Sequence, residues 1–367
     1  MNAPLRVLEV FAQSAGGIGR HVASLVDELD GRRGLELEIA GDPTARVPMP
    51  KPPHALTIPR GLAHHGPAIR RLDRLMQDGG FRLVHAHGLR AAVDAGLAAR
   101  RGGRPVIFTA HNVIHPKIVG RVRARLLGES ERVALRLATR IVAPSEEIKQ
   151  HLVRRYSPAV AKIETIYLGV QTDGRPKRSA AEVRRELAVE GRPMGVTVAR
   201  LAPQKALHVL LDAWRQVARD AVLAVLGEGP LERSLRSIAR DMGIEPRVRW
   251  LGFQDDPGSY VAAANVFCLS STWEAVALAA QEAVAAGVPV VTTDAGGMRE
   301  LIEDRVSGRL VPVGDAAALA AAIDEVLASE KLGRRYAAAA RETQKRKFSK
   351  AVMLDRIASL YHELGDA

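Results

Sequence analysis

Arg200 and Lys205 stand five residues apart in Ala199-Arg200-Leu201-Ala202-Pro203-Gln204-Lys205. Both side chains suit phosphate oxygens: arginine offers a planar fork that grips two oxygens, and lysine adds a compact charge. In isolation the pair also reads as two solvated loop charges. Glu274 and Glu282 flank an apolar, alanine-rich stretch. A carboxylate in such a setting is costly to bury without a partner. It can accept two hydrogen bonds from a ligand diol or close an internal ion pair, for example with Arg299. Glycines recur at Gly16-Gly17-Ile18-Gly19, at Gly227-Glu228-Gly229-Pro230 and at Gly296-Gly297. Bare amides at a strand-to-helix turn approach an anion closely, and Gly296–Met298 reads as such a phosphate nest. The first cluster departs from the dinucleotide fingerprint, because Val22 holds its last glycine position. With Glu36 and Glu38 nearby, that segment alone leaves a nicotinamide site open. His85, His87 and His111 complete the set. Histidine ligates metals and moves protons, but no carboxylate or thiol stands beside these three in the sequence, so no metal is expected.

Apart from the two glutamates, which belong to an alanine-rich helical stretch, these groups fall where an apolar run of strand length ends. The runs are Leu5–Val10, Leu35–Ala40, Leu83–His85, Val106–Thr109, Ile141–Ala143 and Ile163–Ile166. Between them lie amphipathic stretches at Ile18–Leu29, His64–Met76, Arg90–Arg100 and Val119–Leu137, while Pro-rich Asp42–Pro59 reads as a loop. A second series begins after the polar interval Gln171–Pro193. Its strands are Gly195–Ala199, Val222–Leu226, Val248–Leu251, Val266–Leu269, Val288–Thr292 and Arg309–Val311. Its helices are Ala206–Val217, Leu231–Asp241, Val276–Ala286 and Ala316–Leu327. Two such series imply an α/β chain of two doubly wound, Rossmann-like domains, with ligands at the carboxyl ends of the strands and a cleft where the domains face. The expected division is 1–172, a linker at 173–193, 194–345, and a helix in 346–367 that crosses back to the first domain.

Composition narrows the function. The chain has 367 residues, 47% hydrophobic and 26% charged, with a net charge of +12, as in a soluble globular enzyme. The excess is uneven: residues 1–173 carry 26 basic and 16 acidic groups, the remainder 27 and 25. The basic half points to an anionic partner, namely a membrane surface, a phosphorylated substrate or nucleic acid. Aromatics are only 4% of residues, and no zinc-finger or RNA-binding signature is present, which weighs against nucleic acid. Arg121, Arg123, Arg125 and Arg132 interleave with Val122, Leu126, Leu127 and Val133, a basic amphipathic pattern suited to anionic lipid. The single cysteine, Cys268, excludes an intrachain disulfide. The longest uncharged stretch, Pro257–Trp273, is too broken to span a membrane. With no apolar leader at the start, the expected location is cytoplasmic, peripheral on the inner face of a membrane.

Gly-Gly-Ile-Gly-Arg-His-Val from Gly16, the Arg200/Lys205 pair, Gly227-Glu228-Gly229-Pro230, the two glutamates and Asp294-Ala295-Gly296-Gly297 together resemble the family-4 retaining glycosyltransferases of the GT-B fold. The resemblance spans nearly the whole chain and is strongest from Gly195 to Asp315. It implies a hexosyltransferase that moves a sugar from a nucleotide diphosphate sugar to a glycan, lipid-linked or small-molecule hydroxyl. The acceptor would be held mainly by the first domain and the donor by the second. By this resemblance Arg200 and Lys205 bind the diphosphate, Glu282 the ribose hydroxyls, and Glu274 and His111 the transferred sugar. Gly16, Gly17, Gly227, Gly296 and Gly297 complete the donor site, and His85, His87, Arg121, Arg123 and Arg125 line the acceptor side. No Asp-x-Asp occurs, so neither a metal nor another cofactor is expected. The implied route is same-face attack by the acceptor, with the departing phosphate taking its proton. Ala275 stands where the family usually has glycine. Three other readings stay open: a nucleotide-sugar epimerase or phosphorylase on the same fold, a donor-binding but inactive member, and a basic nucleic-acid-binding protein.

Overall fold

A computed structural model describes residues 3–12, 17–42, 47–59, 61, 63–114, 120–170 and 176–365. The chain forms two compact units, one of Met1–Leu168 with Ala351–Ala367 and one of Gly169–Lys350.

The first unit runs β1 (Leu5–Phe11), α1 (Gly17–Leu29), β2 (Leu35–Gly41), β3 (His54–Ala55), α2 (Gly66–Asp78), β4 (Leu83–His87), α3 (Leu89–Ala99), β5 (Val106–Thr109), α4 (Arg121–Leu137), β6 (Arg140–Ala143), α5 (Glu146–Arg155) and β7 (Ile163–Thr165). Its strands form one parallel sheet in the order β3-β2-β1-β4-β5-β6-β7. Helices cover both faces of such a sheet, so its strands read as nearly continuous apolar runs. The order reverses between β1 and β4, and the register there sets Glu9 against His85 and Phe11 against His87. That reversal is where ligands collect in doubly wound sheets.

The second unit runs α6 (Ala180–Glu186), β8 (Met194–Val198), α7 (Leu207–Gln216), β9 (Val222–Leu226), α8 (Glu232–Asp241), β10 (Val248–Gly252), α9 (Pro257–Ala262), β11 (Val266–Leu269), α10 (Leu278–Ala285), β12 (Val290–Thr293), α11 (Met298–Leu301), β13 (Arg309–Val311), α12 (Ala316–Ala328) and α13 (Glu330–Lys347). Its parallel sheet has the order β10-β9-β8-β11-β12-β13, reversing between β8 and β11. Trp214 is fully buried in its core, seated over Gly195, where an added Cβ would lie 2.5 Å from Trp214 Cη2.

A last helix, α14 (Lys350–Gly365), returns the chain to the first unit. Ile357 and Tyr361 on it are fully buried, and Arg356 Nη2 meets Glu164 Oε2 at 2.8 Å. This is the doubly wound α/β architecture that the alternating runs imply. The differences are local. The Pro-rich loop adds β3 to the sheet edge. The interval expected as a linker carries α6, whose start is fixed by a capping box between Ser179 and Glu182. No helix among the described residues is long and apolar enough to cross a membrane.

Candidate active site

In the second unit the loops after β8 and β11 are bound to each other. Ala206 adopts a left-handed backbone (φ 44°), a strained conformation for a residue with a Cβ. Its carbonyl and that of Lys205 accept hydrogen bonds from Ser270 Oγ at 3.1 and 3.0 Å. Gln204 Nε2 donates to the Trp273 carbonyl at 2.8 Å, and the Thr272 N–H donates back to the Gln204 carbonyl at 2.8 Å. Within that frame Lys205 Nζ lies 2.5 Å from Glu274 Oε1, and Ser271 Oγ donates to the same oxygen at 2.5 Å. Glu274 is 5% exposed, so the ammonium and the hydroxyl take the place of water around it. This contact joins two residues to which the resemblance gives separate roles, Lys205 at the diphosphate and Glu274 at the transferred sugar. Arg299 is engaged elsewhere, its Nη2 lying 2.8 Å from Asp294 Oδ2.

The glycine turns press on this arrangement. Gly296 has φ 59°, and a Cβ there would fall 2.1 Å from the Glu274 carbonyl oxygen. The same carbonyl accepts the Gly297 N–H at 3.0 Å, while the Met298 N–H bonds Ala295 O at 3.3 Å. This corrects the expectation of an open phosphate nest. Two of its three amides are spent within the chain, and the glycine pair instead seats the backbone of Glu274. Gly227 has φ 121° and passes so close to Ala199 that a Cβ would meet its carbonyl at 2.1 Å. Arg200, next along, is exposed, and its side chain has no hydrogen-bond or ion-pair partner among the described residues. Glu282 is half-buried on α10, whereas Glu274 belongs to the preceding loop. The two therefore do not share a helix, as the apolar stretch had suggested. Ala275 does not adopt a positive φ, so alanine fits there without backbone strain.

In the first unit β1, β4 and β5 bring a hydrogen-bonded chain together. His87 Nε2 lies 2.7 Å from Glu9 Oε2, and His87 Nδ1 lies 3.2 Å from His111 Nε2. Tyr361 Oη lies 2.5 Å from Glu9 Oε1 and 2.7 Å from His85 Nδ1, and His85 Nε2 lies 2.7 Å from Thr109 Oγ1. All of these groups are buried, and only His111 keeps a visible share of surface, at 8%. Burial, followed by the charge of neighbouring imidazoles, holds His85 and His111 well below the usual histidine range. His21 on α1 is 5% exposed and meets the rings of His87 and His111 at 5.4 and 5.5 Å, with its Nε2 unpartnered among the described residues. It too is held well below the usual range, first by burial and then by His87.

Two expectations change here. A carboxylate does stand beside the histidines: Glu9 is remote in sequence, but the β1–β4 register delivers it. Donor atoms of Glu9, His85 and His87 lie within 4.8 Å of one another, a spacing that suits a metal ion. In this structure each of them is already committed to a hydrogen bond. His85 and His87 are buried, each with both ring nitrogens engaged, so neither lines an acceptor surface. Arg121, Arg123 and Arg125 are exposed at the start of α4, and Gly17 opens α1. Gly16 lies outside the described residues.

Two family models match the chain: Glycosyl transferases group 1 over residues 179–343 and Glycosyltransferase Family 4 over residues 15–173. A D-inositol 3-phosphate glycosyltransferase of Saccharomonospora viridis is 29% identical, over 96% of this chain and 90% of that protein. One of the same name from Geodermatophilus obscurus is 32% identical over 77% of this chain and 68% of its own. Among solved structures, Anabaena HepE in complex with UDP-glucose superposes with a TM-score of 0.84 at 21% identity, covering 98% of this chain and all of that one. That likeness establishes the fold.

Proposed function

The chain belongs to the family-4 glycosyltransferases, and from that premise we propose that it is a retaining, metal-independent enzyme taking a nucleotide diphosphate sugar as donor. Membership favours neither the epimerase or phosphorylase reading nor the nucleic-acid one. The observation that carries the proposal is the Lys205–Glu274–Ser271 constellation at the strand-end edge of the second sheet. In the proposed reaction the bond from the sugar C1 to the diphosphate oxygen breaks. The acceptor oxygen bonds to C1 from the same face, and its proton passes to the departing phosphate. Lys205 and Arg200 stabilise the growing charge of the leaving group, which preorganised donors do at a cost of roughly 10²–10³-fold in rate when one is lost. Glu274 and His111 contact the transferred sugar and Glu282 the ribose hydroxyls. The basic residues of the first half, and a relative named for a phosphorylated polyol, support an anionic acceptor, free or lipid-linked. Arg121, Arg123 and Arg125 would then meet the anionic face of a membrane from the cytoplasm.

Thermal denaturation against a panel of nucleoside diphosphates tests the donor assignment. A nucleotide at 100 times its dissociation constant stabilises by about 2.7 kcal/mol, and the responding base identifies the donor. Arg200→Ala and Lys205→Ala each lose most of that shift. A full response in both variants would place the diphosphate elsewhere.

A further inference from the structure

We infer that Glu9, acting through His87, fixes His111 with its hydrogen on Nε2 and a lone pair on Nδ1, so that His111 is presented as an acceptor for a sugar hydroxyl. An ionised carboxylate only accepts, so both oxygens of Glu9 must be met by donors. Tyr361 has a single proton and supplies it to Oε1 at 2.5 Å. The tyrosine oxygen is then free to accept from His85 Nδ1–H at 2.7 Å, and His85 Nε2 accepts from the Thr109 hydroxyl at 2.7 Å. The other oxygen, Oε2, takes the His87 Nε2–H at 2.7 Å. That leaves a lone pair on His87 Nδ1, which among the described residues is met by the hydrogen of His111 Nε2, at 3.2 Å. His111 Nδ1 is left as a lone pair, with no partner among the described residues.

The direction of every link thus follows from one buried carboxylate, as expected where the far nitrogen's hydrogen bond sets a histidine's tautomer. Glu9, His87 and Tyr361 are positioning residues: they act through His111 and touch no substrate. The functional half of the inference rests on the proposed contact between His111 and the transferred sugar.

Nitrogen-15 imidazole spectra of the full chain test the relay independently of turnover. His85 is expected to carry its hydrogen on Nδ1, and His87 and His111 on Nε2, with a nitrogen–nitrogen coupling across the His111–His87 hydrogen bond. A His111 protonated on Nδ1, or no such coupling, overturns the relay. Kinetics test the consequence. Glu9→Gln lowers kcat/KM for the sugar donor about tenfold or more, as a wrong histidine tautomer does elsewhere, while the thermal shift with the nucleoside diphosphate alone is retained. Tyr361→Phe removes one hydroxyl, leaves Glu9 on His87, keeps the His111 tautomer and falls between the two in rate. Spectra as expected with full activity in both variants would refute the sugar contact alone, and loss of the nucleotide shift in unmodified protein would refute the donor assignment alone.

Discussion

His21, His85 and His111 share one buried corner with a single carboxylate, and that composition governs how the first unit meets acid. Burial first, and neighbouring imidazole charge second, hold all three well below the ordinary value of 6.5. The unfolded chain therefore binds protons that the folded one refuses, and stability is lost as the pH falls below about 6.5. Three groups act in the opposite sense, among them Asp94, which burial raises against the pull of His65. Burial raises Glu131 to about 7 against the pull of Arg155. His65, which burial alone would lower, is raised by the Gly61 carbonyl and Asp94. A difference between variants cancels these terms. His21→Gln removes the imidazole whose Nε2 is buried without a partner among the described residues. Its urea stability should decline less steeply than that of the unmodified protein below pH 6, by up to about 1.4 kcal/mol per pH unit. Parallel profiles would mean that His21 does not resist protonation. At this scale the sequence discloses Lys205 by its place with Arg200 after a strand end and Glu274 by the resemblance its motif carries, but not that the two pair. It conceals Glu9, which meets His85 only because β1 and β4 are neighbours, and Tyr361, which arrives on the last helix.

Elements carry the site through packing, and Gly195 shows how tight that packing is. A methyl group there would stand 2.5 Å from Trp214 Cη2 and 3.4 Å from Val266 Cγ1, so Trp214 must move off its place beneath β8. Overfilling a packed core costs about 1–3 kcal/mol. Gly195→Ala is accordingly expected to lower the guanidinium midpoint, and an unchanged midpoint would show that the indole has room to shift. The strands were the legible elements, because parallel strands buried on both faces read as unbroken apolar runs, Val222–Leu226 being wholly buried. Helices with a narrow apolar stripe were not. On α5 only Ile148 and Leu152 are buried, and α13 has Tyr336 among charged residues. The signals for these lay in their caps: Ser145, Ser179 and Ser329 each accept a backbone N–H three residues on.

For the whole molecule, the uneven charge of the sequence becomes a question of which surface bears it. Arg121, Arg123 and Arg125 have no ion-pair partner among the described residues, whereas Arg132 pairs with Glu129 at 2.5 Å. Beside the three free guanidinium groups Val122 is 78% and Leu126 49% exposed. Unneutralised cations around exposed aliphatic groups suit the boundary between head groups and acyl chains. Each arginine near an anionic surface contributes about 1 kcal/mol, so the three together amount to about 100-fold in partitioning. Vesicles of phosphatidylglycerol with phosphatidylcholine should sediment the protein at low salt, and vesicles of phosphatidylcholine alone should not. Binding should weaken as added salt shortens the screening length to about 10 Å at 0.1 M. Replacing the three arginines by alanine, a good helix former, should remove most of the binding while leaving the nucleotide-induced thermal shift in place. Equal recovery with both vesicle types would detach the basic half from lipid and leave a soluble phosphorylated acceptor as the partner its charge serves.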